Sequence, residues 1–216
     1  MRAAAAEHLE CALVELRTCG LLLGSDAELP SVVKLVAGEP VRGSWWKHPA
    51  AHDIHEVSEA LGEHEDVIIA KLISGKDTYI RRHLWPEIAA VGSAREAWQL
   101  ERLSPMAERL LTLVSKDGEL RSDQVPWAGG PRKDSPGEAA RLLQRRLLVY
   151  AEEVHTESGA HAKRLETWEN WAARSGLAGM GVTAEQGKQM IEGIVATLNA
   201  RFKANGTLPW PATTSP

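Results

Sequence analysis

Ser135-Pro136-Gly137-Glu138-Ala139-Ala140-Arg141-Leu142-Leu143-Gln144-Arg145-Arg146 is the stretch on which the reading of the fold turns. Its first four residues have the form of a capping box with proline at the first helical position. The serine hydroxyl can accept from a backbone N–H three residues on, and proline needs no N–H of its own at that place. The pattern predicts a helix over Pro136–Arg146. At about 100° per residue, Leu142, Leu143 and Leu147 share a core-facing side, which leaves Arg141, Gln144 and Arg145 to point outward.

Upstream, Ser104-Pro105 starts a helix with Met106, Leu110, Leu113 and Val114 inward, stopped by Asp117-Gly118. Glu119–Arg121 can form a short strand, Ser122–Val125 a brief helical turn, and Pro126–Lys133 a Pro/Gly-rich connection. Downstream, Leu147–Thr156 and Ala160–Trp168 read as a hairpin across Glu157-Ser158-Gly159. Helix, short strand, short helix, helix, hairpin is the order of a winged-helix domain. In such a domain the helix before the hairpin lies in the DNA major groove and the hairpin touches backbone or minor groove. Arg141, Gln144 and Arg145 are therefore candidate DNA contacts, since Arg and Gln suit phosphates and base edges. Arg132 and Lys133 lie just upstream, and His161, Lys163 and Arg164 come from the hairpin. The alternatives are that these charges only solvate a helix, or that the domain binds protein.

The fold class expected is α+β: N-terminal helices with a β-hairpin, a winged-helix-like part, then a C-terminal helix. The expected division is 1–100, 101–175, a linker and helix over 176–205, and a disordered tail over 206–216. In the first part, helices are read over residues 3–19, Pro30–Ala37, Pro49–Leu61 and from Trp85 to near Gly92, with Ser93 and Glu96 offering a capping box for the next segment. Asp66–Ile73 and Thr78–Leu84 make a hairpin. Lys71, Lys76, Arg81, Arg82 and His83 are cationic there, and Asp77 is the only acid between Lys71 and Trp85. Such a ribbon, with Lys76, Arg81 and Arg82, suits phosphate. Thr183-Ala184-Glu185-Gln186 is a further capping box. It opens a helix with Ile191, Ile194, Val195, Leu198 and Phe202 on one stripe, which packs back on the body or on a second copy of the chain as a homodimer.

Gly43-Ser44-Trp45-Trp46-Lys47-His48-Pro49 departs furthest from what a bland globular protein needs. Trp46 can stack on an unpaired base or wedge a duplex step, while tandem tryptophans also serve as hydrophobic plugs, a role expected of at least one of the pair. On the helix that follows, His48, His52, His55 and Glu59 fall on one stripe. His48, His52 and Glu56 are candidates for acid–base chemistry on a small molecule or damaged nucleotide. The stripe lacks a closed ligand set such as H-E-x-x-H or paired cysteines, so no metal and no cofactor are assigned. The plain reading is a polar helix face with His48 as a cap. No Walker loop, dinucleotide fingerprint or G-x-S-x-G occurs.

At 216 residues with a net charge of -4, the chain is long enough for a real core and is not a wholly basic binder, so nucleic-acid contact would come from local patches. Eight Trp against two Tyr and one Phe is an unusual aromatic choice, suited to packing and to stacking. Cys11 and Cys19 lie about 12 Å apart along one helix, too far for a disulfide. With no apolar leader or membrane-length run, a cytoplasmic protein is the expectation.

Gly43–Pro49, Lys76-Asp77-Thr78 with Arg81–Pro86, and Val154–Gly159 together resemble a family of uncharacterised bacterial proteins, over residues 21–171. The 104–168 layout is similar to the winged-helix modules of bacterial crosslink-repair DNA glycosylases. That resemblance implies DNA as partner and a place in DNA repair or processing. The Gln-x-Gln or Gln-x-Asp catalytic pattern of those enzymes does not occur here, so glycosylase activity does not carry over. The leading expectation is a nucleic-acid-binding protein; the alternatives are a small enzyme with a Trp/His pocket and a protein-interaction module.

Overall fold

The computed structural model describes residues 2–155, 159, 161–177, 179 and 181–211. In chain order the elements begin with α1 (Ala3–Cys19), β1 (Leu21–Leu23), α2 (Val32–Ala37), α3 (Ala51–Gly62), β2 (Val67–Lys71) and β3 (Asp77–Arg81). Next come α4 (Trp85–Ser93), α5 (Ala97–Leu100), α6 (Pro105–Asp117), β4 (Glu119–Arg121) and α7 (Pro136–Arg145). The last are β5 (Tyr150–His155), β6 (His161–Glu166), α8 (Trp168–Arg174) and α9 (Ala184–Phe202). The protein is mixed α+β, with two small three-stranded antiparallel sheets and a C-terminal helix. It divides into two compact units. One holds the residues up to Trp85 together with Gln189–Leu208; the other holds Pro86–Lys188 and the residues from Pro209.

In the first unit, α1 stops where Gly20 takes a left-handed φ of 75° and its N–H reaches the Leu16 carbonyl at 2.8 Å. The next three leucines form β1, an addition to the expected hairpin. The sheet order is β1-β3-β2, so β3 is central, with Leu22 opposite Tyr79 on one side and Ile69 opposite Tyr79 on the other. Leu16 and Leu22 are buried with Val33, Ile54, Val57 and Leu61 in one core cluster. Residues 206–208, expected in a disordered tail, are instead pinned. Asn199 brackets Gly206, donating to its carbonyl at 2.9 Å and accepting its N–H at 2.7 Å. The Ser74 N–H donates to the Thr207 carbonyl at 2.7 Å. Composition does not reveal such side-chain clamps. The rest of that tail, from Ala212 on, lies outside the described residues.

In the second unit, α6 and α7 start as their sequences require. Ser104 Oγ accepts from the Ala107 N–H at 3.3 Å and Ser135 Oγ from the Glu138 N–H at 3.4 Å. The box at Ser135 is half-formed, because the Glu138 carboxylate turns to Arg141 instead. The box at Thr183 and Gln186 closes both ways, at 3.2 and 2.9 Å. That expected at Ser93 is displaced: Glu96 is the cap of α5 and Gln99 its partner. The three strands run in the order β4-β6-β5, and Leu165 of β6 joins Leu110, Val114 and Leu143 in the core. Tyr150, Trp168 and Trp171 form an aromatic trio with ring centroids 5.2 to 5.6 Å apart.

Gln99 is fully buried and its amide nitrogen donates to the carbonyls of Gly92, Arg146 and Leu147 at 3.4, 3.2 and 3.2 Å. A hydrocarbon of similar size leaves those acceptors short of a donor in a dry place. Gln99→Leu is expected to destabilise the protein by about 2 kcal/mol, read from urea unfolding midpoints. A stability equal to wild type would show that these carbonyls find other donors.

Candidate nucleic-acid interface

Helix α7 buries Ala139, Ala140 and Leu143, half-buries Leu142, and exposes Arg141 and Arg145. Arg141 is held by Glu138 one turn earlier. Arg145 has no ion-pair partner among the described residues. Gln144, expected to point outward, is 8 % exposed, and its Oε1 is buried without a hydrogen-bond partner. Helical spacing explains this correction. Residue 144 lies one turn past Ala140 and next to Leu143, so it joins the inward side rather than the side of Arg141 and Arg145.

The β5–β6 hairpin carries as many acids as bases where they face each other. Glu152 lies opposite Arg164, and Glu153 opposite Lys163. Lys163 pairs with Glu153 at 3.1 Å, Arg164 with Glu152, and Arg174 bridges Glu152 and Glu166 at 3.3 and 2.8 Å. Lys163 and Arg164, expected to face DNA, are thus paired with carboxylates across the strands. Burial, the largest cause, and the carboxylate of Glu152 raise the Tyr150 phenol well above its ordinary range. The expected turn at 157–159 falls largely on residues 156–158, which with 160 lie outside the described residues, as do the side chains of Lys133, His155 and His161.

In the first hairpin, too, several cations have partners within the protein. Lys71 pairs with Asp77 at 2.7 Å and Lys76 with Asp26 at 2.7 Å. Arg81 donates to the Arg17 carbonyl at 3.2 Å. Arg82 lies 3.6 Å from Asp66 and over the Trp85 ring at 5.3 Å. The ribbon is one-sided only along the sequence; folding supplies Asp26 from another segment and sets Asp66, at the start of the hairpin, beside Arg82. Burial works against charge on Asp26. The hydrogen bond from Lys76 and the N–H groups of Glu28 and Leu29 outweigh it and hold the carboxyl below the ordinary range. A carboxyl depressed in the folded state contributes stability above its unfolded value, which is lost as pH falls through the folded one. Asp26→Asn keeps the turn but not the charge. It is expected to flatten the decline of Tm below about pH 4, and identical declines for the two proteins would remove Asp26 as the cause.

In the tryptophan loop, residues Trp45–Lys47 make a single 310 turn. Trp45 packs against the core cluster, and Trp46, 63 % exposed, stacks on it with centroids 4.1 Å apart. His55 tilts toward Trp46 at 5.7 Å. His48 precedes α3 and does not share its stripe. Its Nδ1 accepts the Ala50 N–H at 3.1 Å, and its Nε2 lies 3.6 Å from Glu39. His52 Nδ1 is 4.0 Å from Glu56, while Arg2 binds both Asp53 and Glu56. The fold therefore brings His52 and Glu56 together and gives His48 other partners. One ligand atom each of His52, Asp53 and Glu56 lies within 4.8 Å of the others, a grouping that the Arg2 guanidinium already engages. Among the described residues no helix is long and apolar enough to cross a membrane.

A family model described as AlkZ related matches residues 7–204. No curated protein and no solved structure matches the chain.

Proposed function

The chain belongs to the AlkZ-related family, AlkZ itself being a crosslink-repair glycosylase, and from that premise we propose a nucleic-acid-binding protein of DNA repair or processing. Its contact element is α7, presented by a winged-helix-like module over α6–β6. The observation that carries the reading is the arrangement of that module. A helix, a short strand, a 310 turn, α7 and a hairpin close into a sheet of order β4-β6-β5, with the exposed side of α7 bearing Arg141 and Arg145. A helix held this way projects its outer face into a major groove, where guanidinium groups reach phosphates and guanine edges. Arg145 meets DNA without first giving up a partner. Arg141 exchanges Glu138 for phosphate, and Lys163 exchanges Glu153. Because the net charge is -4, binding rests on this local patch and is steep in salt. Titration of duplex, single-stranded and abasic DNA across a salt series tests the reading. Affinity falling linearly on a log–log salt plot is expected; no binding to any of the three at low salt sinks it.

A further inference from the structure

We infer that Trp127 is a stacking site for an unpaired nucleobase, which narrows the DNA-binding reading above, on which it rests, to strands carrying a displaced or unpaired base. Trp127 is 43 % exposed and has no ring or hydrogen-bond partner among the described residues. Exposed Trp46, by contrast, already stacks on Trp45. An indole without a ring partner offers stackable apolar surface that an unpaired base can cover.

The loop around it presents the ring and supplies charge. Arg109 of α6 donates to the Pro126 carbonyl at 3.3 Å, which fixes the backbone just before the indole and leaves the guanidinium beside it. Gly129 and Gly130 take φ values of 92° and 144°, conformations suited to glycine, and a Cβ on Gly130 would lie 3.8 Å from the Trp127 Nε1. The chain thus passes the N–H edge of the indole at Gly130. From Pro126 to the α7 cap at Ser135 the single acid is Asp134, and its Oδ1 is engaged by the Met106 N–H at 3.2 Å. Arg132 is exposed and has no ion-pair partner among the described residues. An open indole in a loop that carries Arg132 and is tied to Arg109 is the combination that holds single strands: the cations track phosphates and the ring takes a base. An intact duplex offers this ring no base face, since its bases are stacked on one another and show only their edges in the grooves.

The test compares two labelled probes, an intact duplex and the same duplex with one unpaired base, bound to wild type, Trp127→Ala, Trp127→Phe and Arg141→Ala/Arg145→Ala. Wild type is expected to prefer the unpaired probe. Trp127→Ala is expected to lose about tenfold on that probe alone, and Trp127→Phe to recover most of it. The α7 double variant loses affinity for both probes and keeps the preference. Equal binding of both probes by wild type overturns the stacking site and leaves the α7 reading standing. So does a Trp127→Ala variant with unchanged preference. A variant that instead loses capture of an acidic protein, with DNA binding intact, assigns the indole to a protein partner and overturns the proposal equally.

Discussion

Trp168→Ala is expected to destabilise the second unit by about 4 kcal/mol and to lower its melting temperature by roughly 15 °C. The indole is 1 % exposed and packs edge-on to both Tyr150 and Trp171. On another side it lies against Gly92 of α4, so closely that a Cβ there would fall 2.3 Å from its Cδ1. Truncation opens a cavity that a close-packed surround fills only in part. The same contact predicts an opposite lesion. Gly92→Ala gains helix propensity of about 1 kcal/mol yet forces the ring or backbone aside, for a net loss of about 2 kcal/mol. With Trp168 removed, the added methyl has room, so Gly92→Ala/Trp168→Ala should lose clearly less than the two single losses combined. Strict additivity in chemical unfolding would show that the glycine is present for some reason other than the tryptophan.

Replacing Arg141 and Arg145 together by alanine is expected to weaken duplex binding about a hundredfold at low salt and to reduce the log–log salt slope by roughly 2. Arg145 should account for the larger share, because it has no ion-pair partner among the described residues, while Arg141 must leave Glu138. Both side chains are exposed, so the fold should tolerate the change within about 0.5 kcal/mol. Glu138→Gln offers a check of opposite sign: it frees Arg141 and should strengthen binding severalfold. If the double variant binds with wild-type affinity and slope while remaining folded, α7 is a solvated helix and the contact surface lies elsewhere.

The local elements and their order are legible in short-range signals along the chain. Serine, threonine and glycine signals placed the starts of α6, α7 and α9 and the ends of α1 and α6, because caps act within one turn of the backbone groups they satisfy. Periodicity separated Leu143 from Arg141 and Arg145 for the same short-range reason. What each element meets is set by packing between distant segments. Leu21–Leu23 is too short to show a strand period, and it becomes β1 because β3 offers it an open edge. The basic residues of the first hairpin looked unopposed because Asp26, which takes Lys76, stands fifty positions away in the chain. Gln144 looked free because polar character outweighed its place one turn past Ala140. His48 left the histidine stripe because the 310 turn at Trp45–Lys47 and Pro49 delay the start of α3 to Ala51. Trp127 gave no sign at all, since periodicity assigns faces to residues on helices and strands and is silent about an aromatic in a loop of proline and glycine. Charge pairing and ring burial depend on distances in space between segments far apart in the chain, and no local rule carries that information.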